Sequence, residues 1–199
     1  MIKVLQNKVL QFKITLKDSD PAIWRRIQIP DEYTFYQLHT AIQEAMGWKN
    51  HHLYEFKLHR INADKNNEDT LRIGFFFNDG AFENELPLLD DKKNKVSDYI
   101  ESHQKMLYTY DFGENWEHVI EFEGSFSRAA DTQYPLCIDG QQACPPENVG
   151  GYHGYLNFIE AMKDKDHPHH EMYARWRDSE PFDPNQFDPS KVIFSLPFI

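Results

Sequence analysis

The stretch that most constrains this chain is Lys105 to Glu123, KMLYTYDFGENWEHVIEFE. Its second arm alternates, with Trp116, His118, Ile120 and Phe122 on one face and Glu117, Val119, Glu121 and Glu123 on the other. That is the period of a half-buried strand. Gly113-Glu114 sits where a two-residue hairpin loop belongs, glycine first, which favours the II′ turn between antiparallel strands. In that register Phe112 faces Asn115, Asp111 faces Trp116 and Thr109 faces His118. Asp111 is then diagonal to His118 on the same face, within side-chain reach. A carboxylate, an imidazole and an indole are expected to share one apolar face. Whether that face lines a cleft or the core decides what they do.

The remaining elements read as a scaffold around this hairpin. Val9 to Leu16 alternates as a strand, Asp18-Ser19-Asp20-Pro21 is a turn, and Ile23 to Ile29 is a second strand closed by Pro30. Thr34 to Met46 is the clearest helix: Phe35, Leu38, Ile42, Ala45 and Met46 recur at helical spacing. Thr34 with Gln37 forms a capping box, and Gly47 is placed to end the helix in a left-handed conformation. Leu53 to His59 is another strand, Asn62 to Asp69 a polar loop, Ile73 to Phe77 a strand, and Asn78-Asp79-Gly80 a turn. Leu86 to Lys95 reads as a loop and Val96 to His103 as a short helix. After an irregular stretch from Ser125 to Pro146, helices are expected from about Tyr152 to Lys163 and from His167 to Trp176. The tail repeats Phe-Asp-Pro at Phe182 and Phe187, and these rings are expected to pin it down. Strands and helices in this order predict a single α+β domain over residues 1–199, an antiparallel sheet with helices packed against it.

Composition narrows the function classes. The 199 residues include 32 Asp plus Glu against 21 Lys plus Arg, a net charge of −11. An acidic surface disfavours nucleic-acid binding, which rests on neutralising phosphates. Arg25-Arg26 and Lys92-Lys93 read as solvated pairs. No run of about 18 apolar residues exists to span a membrane, and the N-terminus lacks the pattern of a signal peptide. Two cysteines are too few for a secreted disulfide framework. A cytoplasmic protein is expected, with no membrane partner.

Each candidate constellation carries two readings. A carboxylate at Asp111 beside His118 could orient the imidazole and raise its basicity for acid–base or metal chemistry; the plainer reading is a buried strand-to-strand tie, with Trp116 in the core. The Asp111-Phe112-Gly113 tripeptide matches the magnesium motif of kinases, but no Gly-rich phosphate loop or catalytic-loop block accompanies it. Cys137 and Cys144 flank Asp139-Gly140. Structural zinc takes two pairs of closely spaced ligands, so a zinc set here would need His118, His153 or a carboxylate to complete it; two buried thiols packing as small apolar groups is the favoured reading. Pro145-Pro146-Glu147 followed by Gly150-Gly151 delivers an acid beside a helix N-terminus. Those amides either hold an anion or are capped by Glu147 or Asn148. His51-His52 and His167-Pro168-His169-His170 read as exposed polar residues. No complete hydrolase triad or nucleophile elbow is present.

The blocks DPAIWRRIQIP, the helix ending in AMGW, HHLYEF, YTYDFGENWEH, CPPENVGGYHGY and FDPNQFD, in this order, resemble the plasmid pRiA4b ORF-3-like family, which includes proteins described as insertion-element passengers. The resemblance covers nearly the whole chain. It implies an α+β domain with no established biochemical activity and a gene context of plasmids and mobile elements. Where family members often carry an acid after CPPE, this chain has Asn148. The expected function is a cytoplasmic binding or accessory domain for an unknown protein or small ligand. Its candidate binding residues are Asp111, Trp116, His118, Glu147, Gly150 and Gly151. The alternative is a metal-dependent, hydrolase-like enzyme built on Asp111, His118 and Glu147, with zinc held through Cys137, Cys144 and His118.

Overall fold

Period-two burial builds most of the molecule. In β1 (Lys8–Leu16) Leu10, Phe12, Ile14 and Leu16 are buried while Gln11, Lys13 and Thr15 stay half exposed, and β2 (Trp24–Pro30) buries Arg25, Ile27 and Ile29 in the same way. The structure, a computed structural model, describes residues 8–62, 67–75, 88–101, 105–177 and 182–195. Six further strands follow: β3 (Tyr54–Asn62), β4 (Asn67–Gly74), β5 (Leu88–Asp90), β6 (Lys105–Tyr110), β7 (Trp116–Ser127) and β8 (Leu136–Gln141). They join one sheet in the order β5-β4-β3-β6-β7-β1-β2-β8. Every pair is antiparallel except the short parallel match of β4 with β5. The predicted hairpin β6–β7 therefore lies at the centre of the sheet, with β3 on one flank and β1 on the other.

Helix α1 (Phe35–Met46) covers one face. Its predicted apolar stripe is buried, Thr34 accepts from Gln37 N–H while the Gln37 side chain accepts from Thr34 N–H, and Gly47 closes it at φ 83°. Helices α2 (Gly151–Lys163) and α3 (His170–Trp176) pack on each other. Phe158 gathers Tyr173, Trp176 and Phe182 around itself, and Phe187 lies against the Arg25 guanidinium at 3.6 Å. The two Phe-Asp-Pro repeats thus do fasten the tail. Sheet plus helices on one chain is the α+β class. Among the described residues no helix is long and apolar enough to cross a membrane.

Several boundaries moved. Within Asn62 to Asp69, residues 62 and 67–69 are strand, β3 reaching Asn62 and β4 starting at Asn67 directly opposite, and residues 63–66 lie outside the described residues. A ladder already registered from Glu55–Gly74 onward outweighs the polar composition of its far end. Leu86 to Lys95 contains β5, which pairs with the open edge of β4. Val96 to Asp98 forms only a 3₁₀ turn. The Asn78-Asp79-Gly80 turn lies outside the described residues. Arg25-Arg26 is not a solvated pair: Arg26 bridges Glu123 and Asp139 near the surface, whereas Arg25 is buried, because alternation along β2 sends neighbours to opposite faces.

Candidate functional site

The central hairpin closes differently from expectation. Tyr110 pairs with Trp116, Thr109 with Glu117 and Tyr108 with His118, so the loop runs from Asp111 to Asn115 and the register moves by one residue. Asp111 is the cause. It and Asn115 adopt left-handed φ of 54° and 56°, which Asp and Asn tolerate through local hydrogen bonds. The Asp111 Oδ1 accepts from the N–H groups of Gly113 at 2.9 Å and Glu114 at 3.3 Å, and Asn115 N–H donates to the Asp111 carbonyl at 2.6 Å. The shift takes Asp111 off the face that carries Trp116 and His118.

His118 belongs to the core. It is fully buried between Leu16 and Tyr108 on the neighbouring strands, with Trp48 edge-on at 5.3 Å. Its Nδ1–H donates to the Trp116 carbonyl at 3.0 Å, and its Nε2 has no hydrogen-bond partner among the described residues. Burial pushes its pKa down to about 4, so it is neutral near pH 7 and acts as an apolar-lined core imidazole.

The polar convergence lies instead at the hairpin's turn end, where three segments meet. Trp48 stacks on Tyr110 at 5.1 Å and donates its indole N–H to the Pro145 carbonyl at 2.8 Å. Tyr110 donates its hydroxyl proton to Glu147 and accepts from His51 N–H at 3.0 Å. Burial first, then the Glu147 bond, holds the Tyr110 hydroxyl well above its ordinary pKa. Glu147 Oε2 accepts from Lys49 N–H at 3.0 Å and lies 3.7 Å from His51 Nδ1. His52 Nε2 is 3.0 Å from Asn148 Oδ1 and 3.5 Å from Asp111 Oδ2. The carboxylates are recessed, with side chains 11% and 10% exposed for Glu147 and Asp111, beneath imidazoles that are 60% and 31% exposed. Two acid–imidazole pairs therefore stand side by side, acids below and rings at the rim.

The glycine pair is capped, but by neither residue expected. Glu114 Oε1 accepts from Gly150 N–H at 2.8 Å while Oε2 accepts from the Trp116 indole at 3.0 Å. One carboxylate from the hairpin loop thereby satisfies the entry to α2 and anchors a core tryptophan. Gly150 and Gly151 have φ of 97° and 69°, a turn that brings this entry against the loop. Replacing Glu114 with alanine is expected to cost about 1–2 kcal/mol in urea denaturation, and an unchanged midpoint would refute the bridge.

The predicted residues therefore separate. Trp116 and His118 are core, Gly150 and Gly151 shape a turn, and only Asp111 and Glu147 reach the polar cluster. Cys137 and Cys144 are free thiols. Burial raises both, Cys144 to about 12, so as free thiols they are protonated at neutral pH. Among the described residues no three His, Cys, Asp or Glu side chains are placed to hold one metal ion; neither Cys137, Cys144 and His118 nor Asp111, His118 and Glu147 come together as such a set. His51 and His52, read as merely exposed, join the cluster, while His170 caps the Ala161 carbonyl at 2.7 Å far along the chain. Tyr110, Trp48 and Glu114 were missed. The signal for the two aromatics was their polar tip: a core Tyr or Trp needs a hydrogen-bond partner, and the CPPE block supplies both.

The chain matches the profile of the plasmid pRiA4b ORF-3-like protein over residues 8–191. It is 34% identical over 176 residues to the uncharacterized protein y4hQ of Sinorhizobium fredii (strain NBRC 101917 / NGR234), covering 88% of this chain and 84% of that one. The crystal structure of a protein of unknown function, MM3350 from Methanosarcina mazei Go1, superposes with a TM-score of 0.81 at 39% identity, over 94% of this chain and 98% of that one. The blocks that meet at the turn end of the hairpin are thus those of a family without an established activity, and this chain belongs to the plasmid pRiA4b ORF-3-like family.

Proposed function

We propose that this chain is a cytoplasmic binding or accessory module, one unit over residues 1–199, that serves plasmids or mobile elements by holding a partner or small ligand at the turn end of its central hairpin. The observation that supports this reading is the pairing of His51 with Glu147 and of His52 with Asp111 at the surface. Rim imidazoles over recessed carboxylates offer a ligand both donors and acceptors on a fixed frame.

The test is a titration of ¹⁵N-labelled protein, followed by amide shifts, with three fractions of a bacterial extract: small molecules, polypeptides and nucleic acid. Shifts confined to residues 48–52, 110–115 and 145–151, and abolished in a His52→Ala/Glu147→Gln double variant, are expected from one of the first two. Shifts elsewhere, or a response only to nucleic acid that fades with salt, would displace this reading. Elemental analysis of the same sample, purified without chelator, is expected to find no stoichiometric transition metal. Near-stoichiometric zinc, lost on His118→Ala, would restore the metal-enzyme alternative.

A further inference from the structure

A cleft of about 630 Å³ opens between the C-terminal end of α1, Ala143-Cys144 and tail residues 185–188 and 191–193. Arg25 lies in its wall and is only 2% exposed. Its Nε donates to the Ala45 carbonyl at 3.0 Å, and Nη1 donates to the carbonyls of Trp24 at 2.8 Å and Gln141 at 3.0 Å. With the Phe187 ring at 3.6 Å, these groups solvate the cation without neutralising it. Nη2 donates to none of the described residues, and no carboxylate among them pairs with this guanidinium. A buried charge ordinarily has a counter-charge, since leaving water unpaired costs several kcal/mol, on the order of the penalty for one desolvated ion.

The rest of the lining shows what could supply it. Lys191 is exposed at the rim and forms no ion pair with a described residue. The two acids of the lining are already engaged: Glu44 Oε1 accepts from Ser195 N–H at 3.0 Å and from its hydroxyl, and Asp188 Oδ1 accepts from Ser190 N–H at 3.0 Å and its hydroxyl at 2.6 Å. Ala45, Met46, Phe187, Val192 and Ile193 give the wall its apolar stretches, and Asn185 and Gln186 add neutral polar groups to it.

We infer that this cleft binds a small organic carboxylate. One oxygen takes the free N–H groups of Arg25 Nη2, the anion is completed by Lys191, and the apolar body lies against Met46 and Val192. A singly charged carboxylate fits better than a phosphate, because Glu44 and Asp188 would repel a dianion and one free guanidinium nitrogen cannot satisfy three oxygens. The site is separate from the acid–imidazole cluster and stands or falls independently of it.

The probes are hexanoate, hexanol and inorganic phosphate, titrated into ¹⁵N-labelled full-length protein. Hexanoate is expected to give saturable shifts at residues 44–47, 143–144 and 185–193, with hexanol and phosphate weaker by about ten-fold or more. Arg25→Met should abolish the response. Because that variant removes three interior hydrogen bonds, Lys191→Gln, a change at an exposed residue, serves as the second arm and should weaken hexanoate about five-fold, the scale of one partly screened charge pair. No saturable shift with hexanoate, equal binding of hexanol, equal binding of phosphate, or an unaltered affinity in Lys191→Gln would each overturn the assignment.

Discussion

Alanine at Gly154 is expected to destabilise the protein by about 3 kcal/mol or more, opposite in sign to helix propensity. Glycine in a helix interior costs about 1 kcal/mol relative to alanine, so the exchange stabilises an ordinary helix. Here the chain doubles back as it enters α2, through Gly150 and Gly151 with φ of 97° and 69°. A Cβ on Gly154 would lie 2.0 Å from the Val149 carbonyl oxygen and 2.8 Å from its carbon. The obstruction is backbone, so no rotamer change relieves it. Relief means displacing Val149, which is 6% exposed, together with the turn that Trp48 grips through Pro145 and that Tyr110 and Lys49 grip through Glu147. The strain should therefore spread to the acid–imidazole cluster, with amide shifts at residues 48–52 as well as in α2. Urea unfolding measures the energetic part. A variant as stable as the parent would mean that the Val149 carbonyl does not make this close approach.

The same region shows how far sequence reasoning reached. Alternation located β1 and β7, the turns beside them brought in β2 and β6, and the capping box located α1, because those signals are local and physically redundant. Trp116, His118 and Ile120 were rightly placed on one face, and the register ladder puts that face in the core. The position of Asp111 was not legible. Its conformation depends on whether the side chain caps its own loop, a choice of one left-handed residue, and that choice shifts the register by one and moves the carboxylate from the interior to His52. Glu114 was invisible for a different reason: it caps a helix 36 positions away in the chain, and a loop glutamate carries no local mark of that. Arg25 was misread because two adjacent arginines look alike in sequence, although a strand separates them onto opposite faces. The candidate site was legible as a set of blocks, and its chemistry only once those blocks met.

Stability is expected to fall steeply as pH drops from about 6.5 towards 4, driven by two buried imidazoles. His39 sits in a closed ring of hydrogen bonds. Tyr108 O–H donates to His39 Nδ1 at 2.8 Å, His39 Nε2–H donates to Asn50 Oδ1 at 2.7 Å, Asn50 N–H donates to Gln43 Oε1 at 3.1 Å, and Gln43 Nε2 donates back to Tyr108 at 3.0 Å. With Tyr54 stacked on its ring at 3.3 Å, the imidazole is buried and neutral, and burial takes its pKa down to about 3. His118 goes down to about 4 for the same cause. An unfolded histidine titrates near 6.5. Between that value and the folded one the unfolded chain holds protons that the native state refuses, so stability is full above 6.5, is lost as pH falls, and levels off below the folded values. The slope approaches about 1.4 kcal/mol per pH unit for each imidazole, and His118 alone accounts for about 3 kcal/mol. His118→Phe separates this from the carboxylates. It sacrifices the bond to the Trp116 carbonyl but removes the unpartnered Nε2, two effects of about 1 kcal/mol each that roughly cancel at pH 7. Asp91, which burial raises, titrates with the opposite sign and is common to both proteins. The variant should match the parent at pH 7 and lose about 1.4 kcal/mol per unit of slope between pH 6 and 4.5, read from urea midpoints across that range. Parallel curves for parent and variant would mean that His118 is not held neutral by burial and that its face of the hairpin is open to water after all.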